Sequence, residues 1–331
     1  MRRVVPLLLL ALLAAGCGEK KDVLEPSGSK QVTLMLDYFP NADHAGIYAA
    51  QAGGDFEQAG LDVKIRQPAD PSVPIKQVAA GQVDVAISYE PELLRARDQG
   101  LNVVAIGALV RKPLTSIISL PEAKIRKPAD LRGKTVGTAG IDYQSAYLQT
   151  ILDEANVPRD SVKERNVGFS LTPALLTGKV DAVLGAFWNY EGVDLKLRGK
   201  RPRIIRMEQA GVPTYDELVL VANKDALARD SGKLRAFIGA ISRGVRALRD
   251  DPDQALEGLL KANPDLDPKL QRASVEVTLP LFLPPKGKPF GWQDPAEWDA
   301  FGAWMQQKNL LKNPPDVPAS FDNSLLPGSG L

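Results

Sequence analysis

The residues best suited to chemistry fall where extended segments end. Asp37-Tyr38-Phe39-Pro40-Asn41 follows one apolar extended run, Tyr89-Glu90 follows another, and Phe187-Trp188-Asn189-Tyr190-Glu191 follows a third. Each grouping sets an aromatic ring beside a carboxylate or an amide. Aromatic residues make up only 6% of the chain, so three such groupings at strand ends are informative. Aromatic faces stack on flat heterocycles, with about 0.5–1.5 kcal/mol per contact beyond area burial. Carboxylates accept from exocyclic amino groups and protonated ring nitrogens, and an amide both donates and accepts. The chemistry these residues suit is recognition of a planar, nitrogen-bearing small molecule. Tyr38, Tyr89, Trp188 and Glu191 carry polar groups that would need partners if buried, which favours a ligand role. Phe39 and Phe187 read as core. Gly137-Thr138-Ala139-Gly140-Ile141-Asp142 lies between a strand and a helix, and its backbone N–H groups, Gly140 included, can meet a polar ligand atom.

These residues must be positioned by a framework, and alternating patterns supply one. Strands are expected at Val32–Leu36, Leu61–Ile65, Val83–Ile87, Val103–Val110, Thr115–Leu120, Thr135–Gly137, Ser161–Val167, Val180–Ala186, Ile204–Ile205 and Leu218–Val221. Helices are expected at Ala45–Ala52, Ser72–Ala80, Pro91–Gln99, Asp142–Ala155 with Asp142 as N-cap, and Thr172–Leu176 capped by Thr172. Such alternation indicates an α/β fold with mostly parallel sheets. Ligands of such sheets bind beyond the carboxyl ends of the strands, where the three aromatic groupings lie. After Asn223 the pattern turns helical, with Ser231–Arg249, Pro252–Ala262, Pro268–Leu279 and Pro295–Gln307, each opened by Pro or a polar cap.

One internal correspondence bears on architecture. Gly81-Gln82-Val83-Asp84 and Gly178-Lys179-Val180-Asp181 each close a helix and feed an apolar strand. Like positions in two successive blocks suggest two α/β lobes, residues 31–112 with 215–331 and residues 113–214, around a ligand cleft. Two crossings, near Lys112 and Tyr215, would form the hinge.

Composition narrows the partners. Net charge is +1, so no basic excess exists to neutralise nucleic-acid phosphates. The dense basic stretch Lys196–Arg206 reads as a solvated loop between strands. Met1-Arg2-Arg3, an apolar run from Val4 to Ala15 and the switch to Glu19-Lys20-Lys21-Asp22 read as a secretory signal over residues 1–17. Cys17 is the only cysteine, so no internal disulfide is possible. Its setting after Ala14-Ala15-Gly16 resembles a lipobox, which would make Cys17 the site of lipidation. Residues 18–30, with Pro, Ser and Gly, read as a flexible tether. The remaining chain, about 300 residues, is long enough for two domains.

Leu36-Asp37-Tyr38-Phe39-Pro40-Asn41-Ala42-Asp43-His44-Ala45-Gly46-Ile47-Tyr48 resembles the opening motif of the NMT1/THI5-like family, and Ser88-Tyr89-Glu90 and Trp188-Asn189-Tyr190-Glu191-Gly192 resemble its later motifs. The similarity runs from about Val32 to Asn223 and more loosely beyond. The resemblance implies a type II periplasmic-binding-protein fold with a helical C-terminal tail. It implies a receptor of an ABC importer permease; with the secretory signal and lipobox, the chain is expected to be an extracytoplasmic, lipid-anchored binding protein and not an enzyme, a monomer without cofactor or metal. The implied ligand is a thiamine-pyrimidine precursor of the formylaminopyrimidine or hydroxymethylpyrimidine type, with riboflavin as the alternative. Ligand-binding positions carried over are Asp37, Tyr38, Asn41, Tyr89, Trp188 and Glu191; Glu90, Asn189 and Gly140 join them from the strand-end reading. Tyr38 stands where the family more usually has tryptophan, which keeps a stacking ring. The family also includes fungal pyrimidine synthases that use a histidine and a cysteine-rich iron motif. This chain lacks the cysteine-rich segment, and His44, its sole histidine, reads as a structural hydrogen-bonding group.

Overall fold

The computed structural model describes residues 30–328 and 330–331. The expected signal, Cys17 and all of the tether but Lys30 lie outside the described residues. Lys30 itself opens the first strand.

The alternating half of the chain forms two mixed five-stranded sheets. The strands are β1 (Lys30–Met35), β2 (Leu61–Arg66), β3 (Val85–Ser88), β4 (Val103–Val110), β5 (Thr115–Ser119), β6 (Thr135–Thr138), β7 (Lys163–Asn166), β8 (Ala182–Phe187), β9 (Arg203–Arg206) and β10 (Leu218–Asn223). The first sheet runs β2-β1-β3-β10-β4 and the second β7-β6-β8-β5-β9. Parallel pairing holds β1 to β2 and β3, and likewise β6 to β7 and β8. In each sheet the fourth strand is antiparallel to both neighbours, β10 in the first and β5 in the second. These are the strands the chain enters directly after its two crossings between sheets.

The repeated Gly-x-Val-Asp units have one structural meaning. Gly81 and Gly178 both take positive φ, 69° and 68°, ending their helices in the left-handed conformation that glycine adopts without strain. The aspartate that follows ties the incoming strand to its neighbour. Asp84 Oδ2 accepts from the Thr33 N–H at 2.8 Å, and Asp181 Oδ2 accepts from the Thr135 N–H at 2.8 Å. The same device starts the third-placed strand of each sheet.

Helices cover the faces: α1 (Ala45–Ala52), α2 (Asp55–Gln58), α3 (Pro74–Ala79), α4 (Glu90–Asp98), α5 (Asp142–Glu154), α6 (Leu171–Leu176), α7 (Glu191–Leu197), α8 (Lys224–Asp250), α9 (Pro252–Ala262), α10 (Pro268–Phe282) and α11 (Pro295–Gln307). The short helices α2 and α7 were not expected. Helix α7 takes the first residues of the basic stretch and β9 its last four, so only residues 198–202 are the connection foreseen there. Two expected caps are replaced. Ile141 and Ser170 hold the N-cap positions of α5 and α6 without side-chain capping bonds. Asp142 instead occupies the first turn of α5, where its carboxylate receives the Arg95 guanidinium at 2.6 and 2.9 Å. Helix α8 starts seven residues before the expected Ser231, with a break at Asp230 (φ −119°) that marks that expected start.

Strand β4 is wholly apolar and buried although it ends its sheet. The C-terminal segment covers it: Ala105 bonds to Ser320 and Asp322, and the Ala108 N–H donates to Gly291. An open hydrophobic edge would invite pairing with another chain, and this cover removes it.

Candidate ligand-binding site

The carboxyl ends of β1, β3 and β8 converge on a narrow cleft between the two sheets. From the first sheet it is lined by Asp37, Tyr38, Asn41 and Tyr89, and from the second by Ala139, Ile141, Gln144, Leu171, Gly185, Phe187, Tyr190 and Glu191.

Asp37 is the hub of the first wall. Its Oδ1 lies 2.9 Å from His44 Nε2, and its Oδ2 accepts from the Tyr89 hydroxyl at 2.8 Å. The Asn41 N–H donates to His44 Nδ1 at 3.2 Å, so the ring proton sits on Nε2 and points at Asp37. His44 is thereby structural, as its sequence setting suggested. Asn41 lines the cavity, but its Oδ1 already accepts from the Asp43 N–H at 2.8 Å and its Nδ2 donates to the Phe39 carbonyl at 3.0 Å. It caps the turn that carries Asp43 and His44.

Glu191 is the hub of the second wall. It opens α7, and its Oε2 accepts from the Phe187 N–H at 2.7 Å. Burial pushes its pKa up to about 7, against the pull of that N–H. Gln144 is oriented by its Oε1, which accepts from the Ala139 N–H at 2.8 Å. A Cβ at Gly185 (φ 100°) would sit 2.2 Å from Gln144 Nε2, so only glycine leaves room for that amide.

The aromatic lining is continuous across the cleft. Tyr38 packs on Phe39 at 4.5 Å between ring centroids and edge-on against Phe169 at 4.8 Å. Phe39 meets Tyr190 at 5.9 Å, and Tyr89 meets Phe187 edge-on at 6.4 Å.

Five of the expected residues therefore line the cavity: Asp37, Tyr38, Asn41, Tyr89 and Glu191. Four do not. Glu90 turns to the second crossing, where its Oε2 accepts from the Asp216 N–H at 2.7 Å. Trp188 donates from Nε1 to the Pro113 carbonyl at 3.0 Å and lies beneath the Arg206 guanidinium at 4.1 Å. Asn189 is fully buried and donates to Asp43 Oδ1 and Thr278 Oγ1, both at 2.7 Å. It joins the second sheet's loop to the turn after β1 and to α10. Gly140 (φ 81°) packs on the Asn166 side chain, which would lie 2.3 Å from a Cβ there. Conversely, Phe187 lines the cavity rather than the core. Tyr190 and Gln144 were missed. Tyr190 stood in the motif already singled out, whereas nothing in the local sequence distinguishes Gln144.

Carboxyl groups crowd the region around the site and the crossings. Burial pushes Asp43, Glu92, Asp216 and Glu217, like Glu191, up to about 7, and raises Glu90 as well. Groups raised on folding take up protons as the chain folds near neutrality. Their stabilisation is complete below the unfolded carboxylate range of about 4 and is lost as pH rises toward about 7. Hydrogen bonds from backbone N–H groups lower the pKa of half-buried Asp98 and Asp130, whose contribution fades only at more acid pH. The unliganded protein is expected to melt at a higher temperature at pH 5 than at pH 8. Thermal denaturation across a buffer series checks this; a flat or rising profile would contradict the protonation of these groups.

Residues 41–255 match the family model described as NMT1/THI5 like. The chain is 38% identical to a Haemophilus influenzae protein named "Putative thiamine biosynthesis protein", over 86% of this chain and 90% of that one. It is 35% identical to the formylaminopyrimidine-binding protein of Halalkalibacterium halodurans, over 94% and 95%. Among solved structures it superposes on the alkanesulfonate-binding protein SsuA of Xanthomonas axonopodis pv. citri with a TM-score of 0.69 at 16% identity, covering 89% of this chain and 98% of that one. The fold is the type II periplasmic-binding-protein fold, and the chain belongs to the NMT1/THI5-like family.

Proposed function

We propose that this protein is the extracytoplasmic solute-binding receptor of an ABC importer and that its ligand is a thiamine-pyrimidine precursor bearing an exocyclic amino group. The observation that carries the reading is the presence of Asp37 and Glu191 on the two walls of one aromatic-lined cleft. A carboxylate is the natural acceptor for an amidine-like edge of an aminopyrimidine, and the rings of Tyr38, Tyr89, Phe187 and Tyr190 supply stacking and edge contacts. Kinship to a formylaminopyrimidine-binding protein supports the same class.

In this reading residues 31–112 with 215–331 form one lobe and 113–214 the other, closing about the two crossings. Cys17 would carry the lipid anchor, a permease would be the partner, and the chain would work as a monomer. Binding is favoured over pyrimidine synthesis. Cys17 is the single cysteine, so no cysteine ligand set can serve the cavity, and both His44 ring nitrogens are engaged within the fold.

Calorimetry with formylaminopyrimidine, hydroxymethylpyrimidine and riboflavin tests the proposal. The expected result is a Kd of about 1 μM or tighter for an aminopyrimidine. Failure of every nitrogen heterocycle to bind would overturn it. Glu191→Gln keeps an acceptor for the Phe187 N–H but removes the charge. It should weaken aminopyrimidines about tenfold or more and analogues lacking the amino group about threefold or less. Equal losses would refute the pairing of Glu191 with the amino group.

A further inference from the structure

The seam where the 187–191 loop seats on the first sheet's side of the cleft is polar and short of donors. Asn189 Nδ2 uses both of its hydrogens there, on Asp43 Oδ1 and Thr278 Oγ1 at 2.7 Å each. Gln271 Nε2 donates to the Tyr190 hydroxyl at 3.1 Å. Four buried atoms of the seam have no hydrogen-bond partner among the described residues: Asp43 Oδ2, Asn189 Oδ1, Gln271 Oε1 and Ser274 Oγ. The first three can only accept while Asp43 is ionised.

No cation among the described residues balances a charge on Asp43. His44 stands beside it, but its Nδ1 accepts from the Asn41 N–H and its Nε2–H is committed to Asp37. Asp37 and Glu191 act on Asp43 as like charges. Helix α1 carries no charged residue. The charged side chains of α9 (Asp253, Glu257, Lys261) and of α10 (Lys269, Arg272, Glu276) are exposed. On α7, Lys196 is exposed and Asp194 pairs with Arg198. Burial pushes the Asp43 carboxyl up to about 7, against His44 and the Asn189 amide. A proton on Asp43 removes an uncompensated buried charge and supplies a donor that the seam lacks.

We propose that the Asp43–Asn189 contact is a proton-dependent latch between the lobes: it holds with Asp43 as the neutral acid, and loss of that proton releases the 187–191 loop, with Phe187, Tyr190 and Glu191, from the first sheet's side of the cleft. The inference rests on the two-lobe reading above and not on the identity of the ligand. Neither Asp43 nor Asn189 lines the cleft, so the latch acts on closure rather than on ligand contacts. A group whose pKa is raised on closing favours the closed form at low pH, and that support is lost as pH rises through about 7.

The test uses Asp43→Asn, whose amide is neutral at every pH and offers Asn189 Nδ2 an acceptor while adding N–H donors. Small-angle scattering of the unliganded proteins should show wild type more expanded at pH 8 than at pH 6, with Asp43→Asn compact at both. In calorimetry with formylaminopyrimidine, the wild-type Kd divided by the Asp43→Asn Kd should rise about three- to tenfold from pH 6 to pH 8, for a carboxyl that titrates at about 7 when closed and about 4 when open. The ratio cancels Asp37 and Glu191, which both proteins keep. An ionised Asp43 held by a charge-assisted bond from Asn189 predicts a flat or falling ratio instead. That result, a wild-type scattering profile indifferent to pH, or an Asp43→Asn protein that expands as wild type does would overturn the latch. The expected scattering with no binding of formylaminopyrimidine would count against the aminopyrimidine reading and leave the latch in place.

Discussion

Asp37→Ala is expected to weaken pyrimidine binding by at least about a hundredfold and to lower the stability of the unliganded protein. The substitution strands two groups at once. His44 Nε2–H and the Tyr89 hydroxyl both donate to Asp37, and all three residues are buried. A buried donor left without its acceptor costs about 1–3 kcal/mol, so the two together predict roughly 2–6 kcal/mol of destabilisation. The binding loss has two sources. A cavity-lining carboxylate disappears, and Tyr89 loses the bond that fixes its ring against the ligand space. Asp37→Asn separates them. An amide keeps one acceptor, and its NH2 can donate to the Tyr89 oxygen if that hydroxyl reverses its role. Asp37→Asn should thus lose less than about 1.5 kcal/mol of stability while still binding aminopyrimidines at least about tenfold more weakly, because the charged acceptor is gone. Calorimetry and thermal melts of both variants decide the matter. An Asp37→Ala protein binding within threefold of wild type would remove Asp37 from the site.

The strand-end reading pointed to the cleft because the geometry of open sheets leaves few places for a ligand. It worked for residues immediately beyond a strand. Asp37 and Tyr38 follow β1, and Tyr89 follows β3. It was less reliable within 187–191, and the reason is local. The Tyr190 N–H donates back to the Phe187 carbonyl at 3.2 Å, closing a turn. Around that turn successive side chains leave in different directions. Phe187, Tyr190 and Glu191 reach the cavity, Trp188 faces the first crossing, and Asn189 meets Asp43 and α10. Residue chemistry alone cannot assign those directions, since Asn and Trp suit a ligand as well as Phe and Tyr do. Gln144 was illegible for another reason. Its place depends on Ala139 and on a glycine more than 40 residues away in β8, a relation that exists only once the second sheet has formed.

The alternating pattern also revealed more of the framework than of its joints. Strand and helix positions emerged from periodicity, but the crossings are held by buried polar groups that periodicity does not mark. Glu90, read as a ligand residue because it follows Tyr89, belongs to that joint. Its Oε2 accepts from the Asp216 N–H, and Asp216 in turn accepts from Trp298 Nε1 at 2.7 Å. A carboxylate at a strand end thus has two employments in this fold, the cleft and the crossing beside it. Only the direction of the side chain separates them.

Glu217 is where that joint is most exposed to test, and Glu217→Ala should be among the most destabilising single substitutions in the protein. Its Oε2 accepts from the Leu114 N–H at 2.6 Å, the Thr115 N–H at 2.7 Å and the Tyr215 hydroxyl at 3.0 Å. Its Oε1 accepts from the Thr115 hydroxyl at 2.8 Å. One carboxyl group therefore ties the strand that leaves the first crossing to the strand that leaves the second. Burial drives its pKa up, and these donors hold it down to about 7. Alanine would leave two backbone N–H groups and two hydroxyls facing a void, the situation for which losses of about 3–5 kcal/mol are expected. At about 2–4 °C per kcal/mol this predicts a fall in melting temperature of roughly 10 °C. Glu217→Gln should lie between, because its amide NH2 turns a donor toward groups that are themselves donors. Its deficit should also be smaller at pH 8 than at pH 5, since the raised pKa of wild-type Glu217 makes that group's contribution to stability fall as pH rises through about 7. Ligand should restore part of the loss in both variants by holding the sheets together from the cavity side. A Glu217→Ala protein melting within about 2 °C of wild type would mean that the crossings are secured elsewhere, for example by Lys112, which reaches Thr214 at 3.2 Å and Glu297 at 2.7 Å.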